Sequence, residues 1–275
     1  MAREKARSDF VTKVDLESQA AAVAVILDAY PHHHILAEED TGGDGGQESG
    51  SAGGAGANTP EGMETSRRWP EGGEYLWIID PLDGTTNFLH GHPMFGASVA
   101  VGRAQEEDRG VDANAGLRLR GRLEAGAVVA PRTRERWWAA RGQGAWKSGK
   151  RISVSGTLDL RKALVGTGFP FKEPDIIPRY AEQFKRILPE TGGLRRCGSA
   201  ALDLCFLAEG ILDGFWEEDY LSPWDVAAGL IILSEAGGFA SRMDGSAIDL
   251  ENGSLLAGNS PEILAGLASL LEGPG

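Results

Sequence analysis

The chain is poor in cysteine, in basic charge and in long apolar runs, and each shortage removes a class of function. Its two cysteines, Cys197 and Cys205, are too few for a disulfide framework. Eight residues apart in an apolar stretch, they read as small packing residues in a reducing compartment. Lysine and arginine number 27 against 40 acids, a formal net charge of -13. That balance argues against a nucleic-acid backbone or an anionic membrane as the main partner. No apolar run approaches the roughly 20 residues of a membrane span. The basic start Met1-Ala-Arg-Glu-Lys-Ala-Arg is followed by no apolar signal core, so a cytoplasmic protein with no membrane segment is expected. With 275 residues the chain can bury a full core without help from metals or disulfides.

What is present reads as two unlike halves. Leu16, Ala20, Val23, Ile26, Leu27 and Tyr30 recur at helical spacing, and Pro31 ends the pattern, which predicts a helix over 15–30. A short strand, 34–37, then delivers Glu38, Glu39 and Asp40. Residues 41–73 turn to Gly, Ser, Ala, Glu and Pro, a composition too poor in apolar anchors to offset its ordering entropy, and are read as an insertion. A strand is expected at 75–79, and further strands at 96–101, 123–130 and 136–140, with turns at Gly142 and Ser148-Gly149 leading to Ile152, form an antiparallel meander after it. From 163 onward strands (163–167, 211–216) alternate with helices (178–188, 198–209, 223–235), as in an α/β half. The division falls at 1–155 and 156–275.

The chemistry concentrates at Asp80-Pro81-Leu82-Asp83-Gly84-Thr85, after the apolar strand 75–79. Carboxylates three residues apart repel one another, and a shared hard cation explains their proximity. Gly84 permits close backbone approach, and Thr85-Thr86 opens a helix whose first N–H groups favour an anion. Metal and phosphate sites side by side are what metal-assisted phosphoryl transfer needs. They also explain how so acidic a protein could accept a phosphate ester, since bound cations reverse the local sign. Taken alone, the two aspartates could instead cap the next helix. Asp225, in Ser222-Pro-Trp-Asp225, likewise has the position of a capping-box acid, and Glu38-Glu39-Asp40 that of a solvated acidic turn.

Taken together, these segments resemble the inositol monophosphatase family. The resemblance is carried in order by Val11-Thr-Lys-Val-Asp15, Ala37-Glu-Glu39, Trp77-Ile-Ile-Asp-Pro-Leu-Asp-Gly-Thr-Thr-Asn-Phe88, Gly166-Thr-Gly-Phe-Pro170, Arg196-Cys-Gly-Ser-Ala-Ala201, Trp224-Asp-Val-Ala-Ala-Gly229 and Glu235-Ala-Gly-Gly238. It implies a layered αβαβα sugar-phosphatase fold, with an N-terminal α+β half (antiparallel sheet plus helices) and a C-terminal α/β half. It also implies a lithium-sensitive Mg²⁺-dependent phosphatase. Two or three Mg²⁺ ions are expected, one on Glu38, Asp80 and the Leu82 carbonyl, another on Asp80, Asp83 and Asp225. Thr85, oriented by Asp15, would hold the attacking water and Glu38 would help take its proton. The Gly84 and Thr85 amides would bind phosphate. Asp83, Gly198, Ser199, Ala200 and either Glu217 or Glu218 would meet the substrate's hydroxyls. One extra residue between Trp216 and Trp224 leaves that last choice open, with register favouring Glu217.

The substrate implied is a small phosphate ester, myo-inositol monophosphate first. Histidinol phosphate, fructose 1,6-bisphosphate, a nucleotide 3′-phosphate and NADP(H) are alternatives for the same chemistry, and a regulatory or scaffold protein that keeps the fold is the non-enzyme alternative. A homodimer is expected. The family's long helix before Asp9 has no counterpart here, so an apolar face should be left for a partner subunit unless the start is mis-assigned. Two further features read as bland: His32-His33-His34 as a turn rather than a metal site, and Trp137-Trp138 as the two faces of one strand rather than a base-stacking platform.

Overall fold

The computed structural model describes residues 3–6, 9–39, 73–104, 121–171, 173–248 and 253–272. The Gly-rich insertion, all but Gly73, and most of the 103–122 loop lie outside the described residues. The chain opens on a two-stranded antiparallel pair, β1 (Arg3–Ala6) and β2 (Asp9–Val11), which the sequence pattern does not announce. Helix α1 (Lys13–Ala29) follows and ends before Pro31, as the periodicity requires. Its buried residues are Asp15, Gln19, Val23 and Ile26, however, so the expected apolar stripe is shifted. Leu16 and Tyr30 stay exposed, because the first two turns face the site with polar side chains rather than the core.

A seven-stranded sheet is built from β3 (His34–Ala37), β4 (Tyr75–Asp83), β5 (Gly96–Ala104), β6 (Gly121–Ala130), β7 (Glu135–Ala140), β8 (Ala145–Lys147) and β9 (Lys150–Ile152), adjacent in chain order. It is a meander as expected, except that β3 runs parallel to β4. The two strands are joined through the insertion, and only a long connection can bring a parallel neighbour alongside. Strand β4 alternates its burial: Ile79 and Trp77 pack with Val23, Ile26 and Ile35 of α1 and β3, whereas Leu76 and Ile78 join the central core. Fully burying side chains of this kind contributes roughly 1.5–3 kcal/mol each.

The second sheet has five strands in the order β11 (Gly193–Arg195), β10 (Leu164–Thr167), β12 (Gly214–Glu217), β14 (Leu255–Gly258), β13 (Phe239–Ser241). It is parallel across β11-β10-β12 and antiparallel beyond. Helices α4 (Ala200–Ala208) and α5 (Pro223–Glu235), almost wholly buried, lie between the two sheets. On the outer face of the second sheet, α3 (Ile177–Ile187) and α6 (Pro261–Glu272) pack on Val165, Trp216 and Leu256. The layers are therefore helix, sheet, helix pair, sheet, helix pair. Because the central core draws on both halves of the chain, the two sheets converge on one cleft.

Candidate metal centre and substrate cavity

Strand β4 runs straight through Asp80-Pro81-Leu82-Asp83, with an irregularity in its pairing between Asp80 and Asp83. Gly84 then takes a left-handed φ of 87° and caps the five-residue helix α2 (Thr85–Leu89). A side chain at Gly84 would strain that conformation, and its Cβ would lie 2.9 Å from the Met94 carbonyl oxygen. The turn thus places Asp80 and Asp83 beneath a helix start, while α5, arriving from the other half, brings Asp225. One carboxylate oxygen from each of Asp80, Asp83 and Asp225 lies within 4.8 Å of the others.

Each acid also has an oxygen engaged by the scaffold. Asp80 Oδ1 accepts the Leu82 N–H at 2.9 Å. Asp83 Oδ2 accepts the Ser199 hydroxyl at 2.5 Å and the Ala201 N–H at 2.8 Å. Asp225 Oδ2 accepts the Ser222 N–H at 2.6 Å. Asp225 therefore caps α5 with one oxygen and joins the acidic cluster with its carboxylate. Asp80 is fully buried, and its carboxyl is pushed well up, first by burial and then by repulsion from Glu38, Asp83 and Asp225. A divalent cation relieves this, and the hard oxygen donor set fits one. Glu38 stands beside Asp80, with its own N–H bonded to the Ile79 carbonyl.

Helix α1 fixes this arrangement. Thr12 caps it, accepting from the N–H groups of Val14 (3.1 Å) and Asp15 (3.4 Å), while the Thr12 N–H donates to Asp15 Oδ2 at 2.9 Å. The other oxygen of the fully buried Asp15 faces the Thr85 hydroxyl at 3.3 Å, and that hydroxyl also reaches the Leu82 carbonyl at 3.1 Å. Two residues missed in the sequence finish the task. Ser18 donates to the Pro81 carbonyl at 2.9 Å. The Gln19 amide clamps the backbone of Glu39, donating to its carbonyl at 2.6 Å and accepting its N–H at 3.0 Å. A polar residue on the buried side of α1 was the signal that could have found Gln19.

The acids open into a cavity whose walls include Glu38, Asp80, Leu82, Asp83, Gly84, Thr85, Gly198, Ser199, Ala200, Glu217 and Asp225. Glu218 is not on its wall: it faces Arg179 at 3.5 Å and the Gln183 amide at 2.5 Å, on the α3 side. Glu217 is buried, and its carboxyl is raised first by burial and then by Asp203 and Asp225. It lies so close to Gly168 that a Cβ there would strike both it and the Tyr220 hydroxyl. Tyr220, Phe169, Phe171 and Arg196 also line the cavity and were not anticipated. Neither was Asn87, whose amide bridges α2 to the Met94 and Cys197 carbonyls at 2.5 and 2.9 Å. Behind the wall, Asp203 is buried with neither oxygen in a well-formed hydrogen bond. Burial raises its carboxyl to about 8, against the pull of the nearby Cys197 thiol. That thiol is itself pushed up to about 12, first by burial and then by Asp203, which suits a packing residue and not a nucleophile.

The bland readings resolve in detail. His33 stacks between Tyr30 and Tyr75, with centroids 4.8 Å away in each case, and accepts from Trp77 Nε1 at 3.0 Å. Trp137 is fully buried, and Trp138 stacks on Trp146 at 5.7 Å.

An acidic triad at a strand end, completed across two sheets by a helix from the second half, defines a layered α/β protein whose centre could bind a metal. The chain belongs to the inositol monophosphatase family, whose model matches residues 2–273; the family is Mg²⁺-dependent. It is 40% identical over 259 residues to the Nus factor SuhB of Pseudomonas aeruginosa, covering 94% of this chain and 81% of that protein. It is 35% identical over 255 residues to the inositol-1-monophosphatase of Mesorhizobium japonicum, covering 93% and 80%. Among solved structures, the extragenic suppressor protein SuhB of Bartonella henselae superposes with a TM-score of 0.78 at 28% identity, covering 100% of this chain and 89% of that one. The expected layered fold is confirmed by this match. Among the described residues no helix is long and apolar enough to cross a membrane.

Proposed function

We propose that the protein hydrolyses phosphate monoesters of small polyols, with myo-inositol monophosphate the leading substrate. The observation that carries this reading is the convergence of Asp80, Asp83 and Asp225 beside a Thr85 hydroxyl held by Asp15. Glu38, Asp80 and the Leu82 carbonyl would hold one Mg²⁺, and Asp80, Asp83 and Asp225 a second. When bound, Mg²⁺ supplies charge neutralisation at the phosphoryl oxygens and a water acidic enough to act near neutral pH. Asp15 draws the Thr85 hydroxyl proton toward itself, leaving an oxygen lone pair to orient that water, and Glu38 accepts a proton from it. The Gly84 and Thr85 amides contact the phosphate. Asp83, the 198–200 segment and Glu217 meet the hydroxyls of the leaving alcohol.

Asp225→Asn tests this directly. The Ser222 cap is worth about 1 kcal/mol at most, so the variant should stay folded, with its melting temperature within a few degrees. Phosphate release from inositol 1-phosphate should fall on the order of a thousandfold. A fully active variant sinks the mechanism. The name Nus factor carried by the Pseudomonas aeruginosa relative favours a second reading, a regulatory protein that keeps the fold and acts through macromolecular partners. Absence of phosphate release by the wild-type protein with Mg²⁺, across inositol, histidinol and fructose phosphates, would select it.

A further inference from the structure

In a cavity walled by carboxylates, one cation stands out. Arg196 lines the cavity, and among the described residues its guanidinium makes no hydrogen bond or ion pair. It is held instead by two rings, its Cζ lying 5.6 Å from the Phe169 centroid and 5.4 Å from that of Phe171. Its Nε is buried without a hydrogen-bond partner. Aromatic faces orient a guanidinium and leave its charge intact, unlike a carboxylate partner, which would neutralise it. Arg196 also leans over Gly198, where a Cβ would lie 2.5 Å from Nη1, and so adjoins the segment assigned to the leaving alcohol. Its charge is felt by the buried Asp203, whose carboxyl it draws down against the rise that burial imposes. A guanidinium on the cavity wall matches an oxyanion, which it can bind through two parallel hydrogen bonds.

We propose that Arg196, clamped by Phe169 and Phe171, reads a second anionic group on the substrate, so that the enzyme prefers phosphate monoesters whose other end carries a phosphate or a carboxylate. This rests on the phosphatase reading and narrows its substrate class. The amides and metal ligands of the 80–85 segment serve the phosphate being cleaved; Arg196 serves the far end of the molecule.

Three esters on one carbon chain separate the possibilities: glucitol 6-phosphate, with a neutral far end, glucitol 1,6-bisphosphate, with a phosphate there, and 6-phosphogluconate, with a carboxylate. The ratio of kcat/KM for each charged ester over the neutral one should be about tenfold or more in the wild-type protein, the usual advantage of a charge-assisted pair. It should fall at least fivefold in Arg196→Gln. Arg196→Lys, which keeps the charge without the fork, should retain part of it. Which of the two charged esters has the larger ratio identifies the oxyanion. A wild-type ratio near one overturns the proposal, and so does a uniform loss on all three esters with the ratio unchanged, since Arg196 would then serve the cleaved phosphate or the fold. If Arg196→Gln does not fold, as judged by its thermal transition, Arg196→Lys and the wild-type ratio decide. Should the wild-type protein cleave none of the esters, the phosphatase reading fails separately. Calorimetric binding of the same three compounds then tests Arg196 by the same ratio of affinities.

Discussion

The two sides of the cavity are built in opposite ways. On the side of the candidate metal centre, six consecutive residues, 80–85, supply two acids, a carbonyl, a left-handed glycine and a hydroxyl. The other side is gathered from three separated segments around Gly168–Phe171, Arg196–Ala200 and Glu217–Leu221. A local segment can carry chemistry only when its own geometry aims the side chains, and a strand end running into a left-handed glycine does so. Recognition of a substrate's shape needs groups on several faces, which only folding can assemble. The metal side is accordingly overdetermined by hydrogen bonds: each acid of the triad bonds the scaffold through one oxygen. On the other side, among the described residues, Arg196 Nε and the two Asp203 oxygens have no hydrogen-bond partner.

Perturbing each side should therefore have different consequences. After loss of a triad acid, the largest effect is expected at Asp15, whose carboxylate caps α1 and orients Thr85. Asp15→Asn should lower kcat about 10- to 100-fold, the usual cost of removing an orienting partner, with KM little changed, as steady-state kinetics would show. A shift confined to KM would place Asp15 in the scaffold alone. On the recognition side, Glu217→Gln should raise KM for inositol 1-phosphate several-fold, a neutral amide keeping part of a hydroxyl contact. Glu218→Gln, facing Arg179 and Gln183 outside the cavity, should change it less than about twofold. Equal effects would erase the distinction that the cavity wall draws between these neighbours.

The smallest effect falls behind the wall and concerns stability. Burial raises the Asp203 carboxyl to about 8 in the folded state, while an unfolded carboxyl titrates near 3.9. Between these values the folded chain holds a proton that the unfolded chain has released. The stability from this group is thus complete below about pH 4 and is lost as pH rises toward 8, at up to about 1.4 kcal/mol per unit. Asp203→Asn should flatten that decline, giving a higher melting temperature than wild type at pH 8 and a similar one at pH 4. Parallel melting curves across that range would show that the group does not titrate there.

Much of the fold was legible because its elements obey simple rules. Strand β3 and helix α5 fall at their expected bounds, since a short β-rich run and a Ser-Pro helix start need no tertiary context. The pair β1-β2, the edge strand β11 and the closing β13-β14-α6 unit were not read. The three-residue strands β2, β11 and β13 carry too little periodicity, and the pairing of β1 and β14 is decided by distant neighbours. On α1 the apolar pattern mis-assigned the buried face, because Asp15 and Gln19 are buried by hydrogen bonds and not by hydrophobicity.

The sequence by itself determined the local make-up of the 80–85 segment, since carboxylate spacing, a permissive glycine and a helix start are local properties of a few adjacent residues. Only the tertiary structure decided that Asp225 caps α5 and joins the acidic cluster at once, that Gln19 secures the Glu38-Glu39 turn, and that Glu217 and not Glu218 faces the cavity. It alone placed Arg196, held between two rings, there as well. These depend on which residues 20 to 145 positions apart in the chain are brought within hydrogen-bonding or Coulombic reach, and no local pattern encodes that distance.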